Sequence, residues 1–457
     1  MNLFKDLVSI IKDESRVSVS EACLLEHGKG LMYHEEKLPD AVVYPINKME
    51  VKDIVHYASN RKIPLVPFGV GSSLEGQIIP QKAGISIDFS RMNKIVDICP
   101  EDFIAVVQPG VTREQLNTQL KQYGLFFPVD PGVDATIAGM AANNASGTNS
   151  IKYGVMKDQV LALEVLLPDG RFIKTGSKAM KTASGYHLKD LFIGSEGTLG
   201  LFTEITLKLH GIPEHHTVAR CSFDSIDMAG EAATQLLSAG LQIGKLELVD
   251  ESTITAVNKY LKLNIPQAHS LFIECSGSQK EVIEQIAVIE EIIKDTGGYA
   301  FQFEEDSLGK STLWKARHEA GLAIAAAYPG YQLMSTDVAV PISKLTDAIT
   351  NARRLVEQSK MLASIFGHVG DGNFHVVIAF NKDEAESLQK ALQLNEDIVH
   401  YAIEVGGTCT GEHGIGTGKR QYLQEEHGEA YEIMKQIKYL FDPNNLLNPN
   451  ILFIEGE

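Results

Sequence analysis

A chain of 457 residues with 59 acidic against 41 basic side chains carries a formal charge of −18. That charge disfavours nucleic acid, whose phosphates need a basic surface, and plain electrostatic docking on anionic lipid. Hydrophobic content of 44% fits an ordinary globular protein long enough for two or three domains. Five cysteines (Cys23, Cys99, Cys221, Cys275 and Cys409) stand scattered without a C-x-x-C pair. They exclude a disulfide framework and an iron–sulfur cluster of the chain's own, and point to a reduced compartment.

The first residues mix acids and bases without a continuous apolar run, so no secretory signal is read there. No window approaches the ~18 consecutive apolar residues of a membrane helix. The expected location is cytoplasmic, or peripheral at a membrane. Residues 1–35 read as a helical lead-in, with amphipathic spacing in Leu3, Leu7, Ile10 and Ile11. Short apolar strands are expected at 41–44, 64–67, 84–89, 95–98 and 103–107, with helices at 50–61 and 111–123. Residues 129–153 are rich in Ala and Gly, the composition of backbone packed closely against something else. A strand at 160–167 ends in the turn Pro168-Asp169-Gly170, and a third glycine-bearing segment covers 191–209. Pro213 marks a boundary, because longer helices follow (228–239 and 280–296) between strands near 217–223 and 270–274. From about 420 the chain reads as helical and closes on the turn-rich FDPNNLLNPN. Alternating strands and helices predict a layered α/β or α+β fold.

Pro67-Phe68-Gly69-Val70-Gly71-Ser72-Ser73 follows a buried strand. Alternate glycines let successive N–H groups face one concavity, as a pyrophosphate requires. Alone, such a loop is a weak signal, and neither G-x-G-x-x-G nor the P-loop pattern fits cleanly. Two further segments keep it company: Pro131-Gly132 through Thr136, Gly139, Met140, Asn143, Ser146 and Gly147, and Gly194-Ser195-Glu196-Gly197-Thr198-Leu199-Gly200.

Later in the chain come Phe366-Gly367-His368-Val369-Gly370-Asp371-Gly372-Asn373-Phe374-His375 and Gly411-Glu412-His413-Gly414-Ile415-Gly416. A glycine loop entering a strand can turn two imidazoles toward one point. His368, His375 and Glu412 would form a two-His, one-carboxylate set suited to Zn²⁺, Mn²⁺ or Fe²⁺. Any one of these histidines alone would more often be a capped or surface residue. Asp371 is expected to cap its turn, and His215 and His216 to be solvated linker residues.

The three glycine segments resemble the two-lobed FAD-binding domain of vanillyl-alcohol-oxidase (PCMH) type. The two histidine segments resemble the C-terminal domain of FAD-dependent D-2-hydroxyacid dehydrogenases, a group that includes D-lactate dehydrogenases and the flavin subunit of glycolate oxidase. The resemblance spans roughly residues 35–455. It implies an α+β protein: a lead-in (1–35), an FAD-binding domain (36–212, lobes about 36–128 and 129–212), an α/β substrate or cap domain with a metal site (213–419), and a segment returning to the FAD domain (420–457). It implies FAD held by residues 67–73, Pro131, Gly132, Thr136, Gly139, Met140, Asn143, Ser146, Gly147, Glu196, Gly200 and Ile205. The binding is expected to be non-covalent, since the first loop has no His. By the same resemblance, a divalent metal (Zn or Mn ahead of Fe) sits on His368, His375 and Glu412. His413 is the base, while Arg317, in Leu313-Trp314-Lys315-Ala316-Arg317, and Asn373 bind substrate.

The activity so implied is oxidation of a small D-2-hydroxy acid, D-lactate first, to the 2-keto acid with hydride passing to FAD. Ser335 stands where, as aligned, the 2-hydroxyglutarate branch has a lysine, which speaks against a dicarboxylate. The electron acceptor is left open among a quinone, a cytochrome, an electron-transfer flavoprotein and an iron–sulfur subunit. A homodimer is compatible. Three other readings stay open: a glycolate oxidase flavin subunit, a metal-dependent hydrolase with purely structural glycine loops, and a non-catalytic flavin-binding module.

Overall fold

A computed structural model describes residues 2–456, which divide into two compact units. Of these, the first comprises residues 2–146, 154–212 and 412–456; the second comprises 147–153 and 213–411.

In the first unit a four-stranded sheet has the spatial order Val17–Ser18, Ala41–Val43, Ile85–Asp88, Leu65–Phe68. The last three strands are parallel. The crossover between Ala41–Val43 and Leu65–Phe68 is the helix Lys48–Arg61, which begins two residues before the expected 50. Asn47 sets that start, its side chain accepting from Met49 N and Glu50 N. Val51, Ile54, Val55 and Ala58 recur at helical spacing and are buried with Leu7 and Ile11 of the helix Leu3–Ile11, covering Ile85 and Ile87.

A second, antiparallel sheet of five strands follows in the order Ile95–Cys99, Ile104–Val107, Leu201–Lys208, Val160–Leu166, Phe172–Gly176. The expected lobe boundary near 128 is thereby corrected. Ile104–Val107 pairs with Leu201–Lys208, so the division between sheets falls between Asp88 and Ile95. The last segment of this unit returns to the first sheet: Leu65 N donates to Leu446 O (2.9 Å) and Asn448 N to Leu65 O (2.7 Å).

The second unit is built on an antiparallel sheet. Its strands run Tyr299–Glu304, His215–Phe223, His269–Gly277, Ile243–Val249, Leu362–Gly367, Asn373–Phe380, Gln332–Ser335, with Val338–Ala339 also on Asn373–Phe380. His215 and His216, expected in a linker, open a strand and pair with Gly277 and Ser276, though both are exposed. The helix Gln279–Asp295 starts in a capping box between Ser278 and Glu281 and buries Val282, Ile286, Ile289 and Ile293 along one stripe. Val218, Val249, Phe272, Phe366 and Val377 form a core with Trp314 and Ala316 of the helix Ser307–His318 and Ala320, Ala323 and Ile324 of the helix Ala320–Ala327.

Residues 147–153, read from the sequence as part of the glycine-rich cofactor stretch, belong to this second unit. Lys152 Nζ donates to Ser276 Oγ (2.6 Å), Ser150 Oγ bonds the Asp371 carboxylate, and a Cβ on Gly370 would press on Ile151. Among the described residues no helix is long and apolar enough to cross a membrane.

Candidate active site

In the first unit the strand Leu65–Phe68 runs directly into Gly69. A Cβ at Gly69 would overlap Thr136 Oγ1, and one at Gly197 would overlap the Pro67 ring. Gly71 has φ +71, and a Cβ there would lie 2.8 Å from the Phe68 ring. Removing these three side chains lets the 67–73 loop, the start of the helix Ile137–Asn143 and the 194–200 loop approach one another. Between them lies a cleft of about 1220 Å³, counted with the solvent at its mouth.

Residues 67–73, Pro131, Thr136, Gly139, Met140, Asn143, Glu196 and Gly200 line the cleft, as do Gln77, Glu412, His413 and Asn448. Four other residues expected to hold the cofactor are not in its lining. Ile205 is a fully buried core residue of a central strand, opposite Val107 and Leu163. Gly132 stands in open space, Ser146 donates to Glu412 Oε2 (3.0 Å), and Gly147 belongs to the second unit.

A dinucleotide fits what this cleft offers: a glycine cradle that any Cβ would fill, apolar walls, and a buried acceptor, Asn448 Oδ1, without a hydrogen-bond partner in the protein. Asn448 is fixed by its amide nitrogen, which donates to Gln77 O (3.0 Å) and Glu196 O (2.9 Å).

The Glu196 side chain accepts from Ile415 N (2.6 Å) and Gly416 N (2.9 Å), so it pins the backbone just beyond His413. Burial pushes its carboxyl up to about 7, against the pull of those two N–H groups. His413 is held through its carbonyl, which accepts from Gln77 Nε2 (2.7 Å) and more weakly from Asn143 Nδ2 (3.4 Å). Its ring Nδ1 lies 3.8 Å from the Glu75 carboxylate and its Nε2 4.0 Å from that of Glu412. Burial alone would raise the Glu75 carboxyl, but Lys419 Nζ at 3.1 Å, with His34 and His413, brings it down to about 2. Neither Glu75 nor Lys419 was singled out by the sequence reading. Glu75 ends a glycine-rich loop and carries no pattern of its own.

In the second unit His368 follows the strand Leu362–Gly367 and His375 lies on Asn373–Phe380. Their rings are 5.6 Å apart and nearly perpendicular. Each imidazole faces a carboxylate that sequence reading did not assign. His368 Nδ1 lies 2.8 and 2.9 Å from the Glu247 oxygens, and His375 Nδ1 lies 3.4 Å from Asp337 Oδ1. Asp337 is wholly buried and also accepts from Asn373 Nδ2 (2.8 Å) and Thr410 Oγ1 (2.6 Å). The other amide atom, Asn373 Oδ1, is buried without a hydrogen-bond partner in the protein.

Arg317, expected to pair a substrate carboxylate, is held by an internal partner. Its Nε donates to Glu247 Oε2 (2.8 Å), its Nη2 lies 2.7 Å from the same oxygen, and its guanidinium covers the Phe366 ring at 4.9 Å. Burial alone would raise the Glu247 carboxyl. The charges and hydrogen bonds of His368 and Arg317 outweigh that and hold it below the ordinary range. Asp371 pairs with Ser150, and Ser335 Oγ donates to Thr336 O (3.0 Å).

A cleft shaped by glycines, in a unit with these two sheets, has the backbone cradle that a flavin nucleotide requires. Residues 39–176 match the family described as FAD binding domain, and residues 212–451 match FAD linked oxidases, C-terminal domain. The chain belongs to the FAD-linked oxidases. It is 44% identical over 445 residues to a Danio rerio protein named probable D-lactate dehydrogenase, mitochondrial, covering 96% of this chain and 89% of that one. It is 35% identical over 426 residues to a glycolate oxidase subunit of Bacillus subtilis, covering 92% and 90%. Among solved structures it resembles p-cresol methylhydroxylase, with TM-score 0.80 at 18% identity over 98% of this chain and 95% of that one, a likeness of fold. The α+β class and PCMH-type architecture expected from the sequence are those found.

Proposed function

We propose that this protein oxidises a small D-2-hydroxy acid, D-lactate by preference, to the 2-keto acid, with non-covalently bound FAD. The observation that carries the reading is His413, an imidazole on the wall of a cleft lined mainly by glycine and apolar groups. FAD supplies the two-electron acceptor that no side chain provides.

The residues supply the rest. The 67–73 loop, Thr136, Gly139 and Asn448 hold the cofactor. His413 takes the hydroxyl proton as the alpha carbon is oxidised. Asn373 and Arg317 orient the substrate, which restricts the face of the alpha carbon that reacts. His368 and His375, with Glu412, would hold a divalent cation (Zn or Mn ahead of Fe) that lowers the hydroxyl pKa. The donor chemistry supports this reading, since two neutral imidazoles and a carboxylate are a borderline-metal set. Non-covalent attachment is supported by the cleft's lining, in which His413 is the one imidazole and no thiol occurs.

A preference for D-lactate over glycolate rests on the higher identity to the lactate relative, 44% against 35%. The electron acceptor is proposed to be external: a quinone, a cytochrome, an electron-transfer flavoprotein or an iron–sulfur subunit. The cytoplasm or a membrane surface is the proposed location, in keeping with five free cysteines.

The test is turnover with an artificial electron acceptor. D-lactate is expected to be converted to pyruvate at kcat/KM at least tenfold above glycolate and L-lactate. A glycolate preference, with co-purification of an iron–sulfur protein, would move the assignment to the glycolate reading. A colourless protein would return it to hydrolase chemistry.

A further inference from the structure

Glu247 is a buried carboxylate of the second unit with two charged or ionisable partners, and the reaction as proposed gives it no role. It is 1% exposed, on a strand whose other residues are mostly apolar, and it takes His368 on one side and Arg317 on the other. A carboxylate in that position can only accept, so a neutral His368 must carry its proton on Nδ1 and leave the Nε2 lone pair unprotonated. Unprotonated Nε2 is the form that ligates a metal, and a carboxylate behind the ring both fixes that tautomer and raises the basicity of the ligating nitrogen. The same carboxylate fixes the Arg317 fork, which Phe366 supports from its ring face.

We propose that Glu247 is the positioning residue of this region: one buried carboxylate sets the tautomer of His368 for a divalent cation and the orientation of Arg317 for the substrate. The inference rests on the reading of His368 and His375 as metal ligands. It adds that metal affinity and substrate affinity share one determinant that touches neither.

The test uses the full-length, FAD-loaded protein stripped with chelator and titrated with Zn²⁺ and with Mn²⁺. Glu247→Gln is expected to weaken both by roughly 10–100-fold while flavin per chain is unchanged, and Glu247→Asp to fall between. The KM for D-lactate rises in Glu247→Gln by a larger factor than kcat falls when metal is saturating. Glu274→Gln serves as a matched control. Glu274 lies on the neighbouring strand, accepts from Trp314 Nε1 at 2.8 Å and faces Lys245 at 3.4 Å, so its loss disturbs the same sheet without touching His368. It is expected to leave both metal affinities as they are.

Nitrogen-15 spectra of histidine-labelled wild type give a readout that survives even if a variant does not fold. In its neutral form, before metal is added, His368 is expected as the Nδ1–H tautomer. The Nε2–H tautomer, or metal affinities equal in Glu247→Gln and wild type, would overturn the proposal and leave the metal reading standing. Wild type that binds neither ion would overturn both.

Discussion

The cleft of the first unit is shaped by side chains that are missing, and the histidine cluster of the second by side chains that hold one another. Gly69 and Gly197 bring backbone against Thr136 and Pro67, where a single methyl group would not fit. Glu247 and Asp337, in contrast, are buried carboxyl groups that hold His368, Arg317, His375 and Asn373 by direct polar contacts. A ligand that is long and mostly neutral at its ring end needs the first kind of site, whereas a small anion and a cation need the second. The two regions should therefore fail in different ways.

The largest effect is expected at His413. His413→Ala keeps FAD but loses roughly 10²–10⁴-fold in kcat, measured as dye reduction per bound flavin. Near-normal turnover would remove the base from the account. Chelation is expected to lower activity at least tenfold without loss of yellow colour, and added Zn²⁺ or Mn²⁺ to restore it. Activity indifferent to chelators would count against the metal. Gly69→Val attacks the other region: flavin per chain should fall several-fold on purification while metal affinity of the folded protein is retained. A variant that stays fully loaded with flavin would break the contrast.

Arg317→Met tests the charged region through stability. Removing one partner of a buried pair should cost roughly 3 kcal/mol in a denaturant titration. A change under about 1 kcal/mol would mean that His368 alone suffices to hold Glu247.

The smallest effect concerns Glu196, whose folded-state carboxyl is raised from 4.5 to about 7. Between these values the native state holds a proton that the unfolded chain has released, so stability falls as pH rises through that window. Glu196→Gln should flatten the slope, read from melting temperatures at pH 4.5, 5.5, 6.5 and 7.5.

The same contrast explains what could be read from the sequence. A glycine at 69, 71 or 197 is visible in one dimension because its chemistry is backbone geometry, so the loops that shape the cleft were legible while Gln77 and Asn448 in its lining were not. Glu247 was not, because I-G-K-L-E-L-V alternates, and an acid in an alternating strand reads as facing water. In this sheet the face carrying Lys245, Glu247 and Val249 is covered by the helices Ser307–His318 and Ala320–Ala327, so Glu247 is buried too. Asp337 was not legible, since nothing local reveals that Asn373 and Thr410 will meet it. Residues 147–153 mislead for a related reason. Their composition continues the glycine-rich stretch, while their hydrogen bonds belong with Ser276 and Asp371.

The claim on which all of this depends is that a hydroxy acid reduces a flavin held in the first unit's cleft. It is tested most directly by anaerobic titration of the purified protein with D-lactate, following the visible flavin absorption. The account predicts bleaching complete near one equivalent per bound FAD, with L-lactate leaving the spectrum unchanged. A flavin that keeps its colour under excess D-lactate and every other D-2-hydroxy acid tried would contradict it.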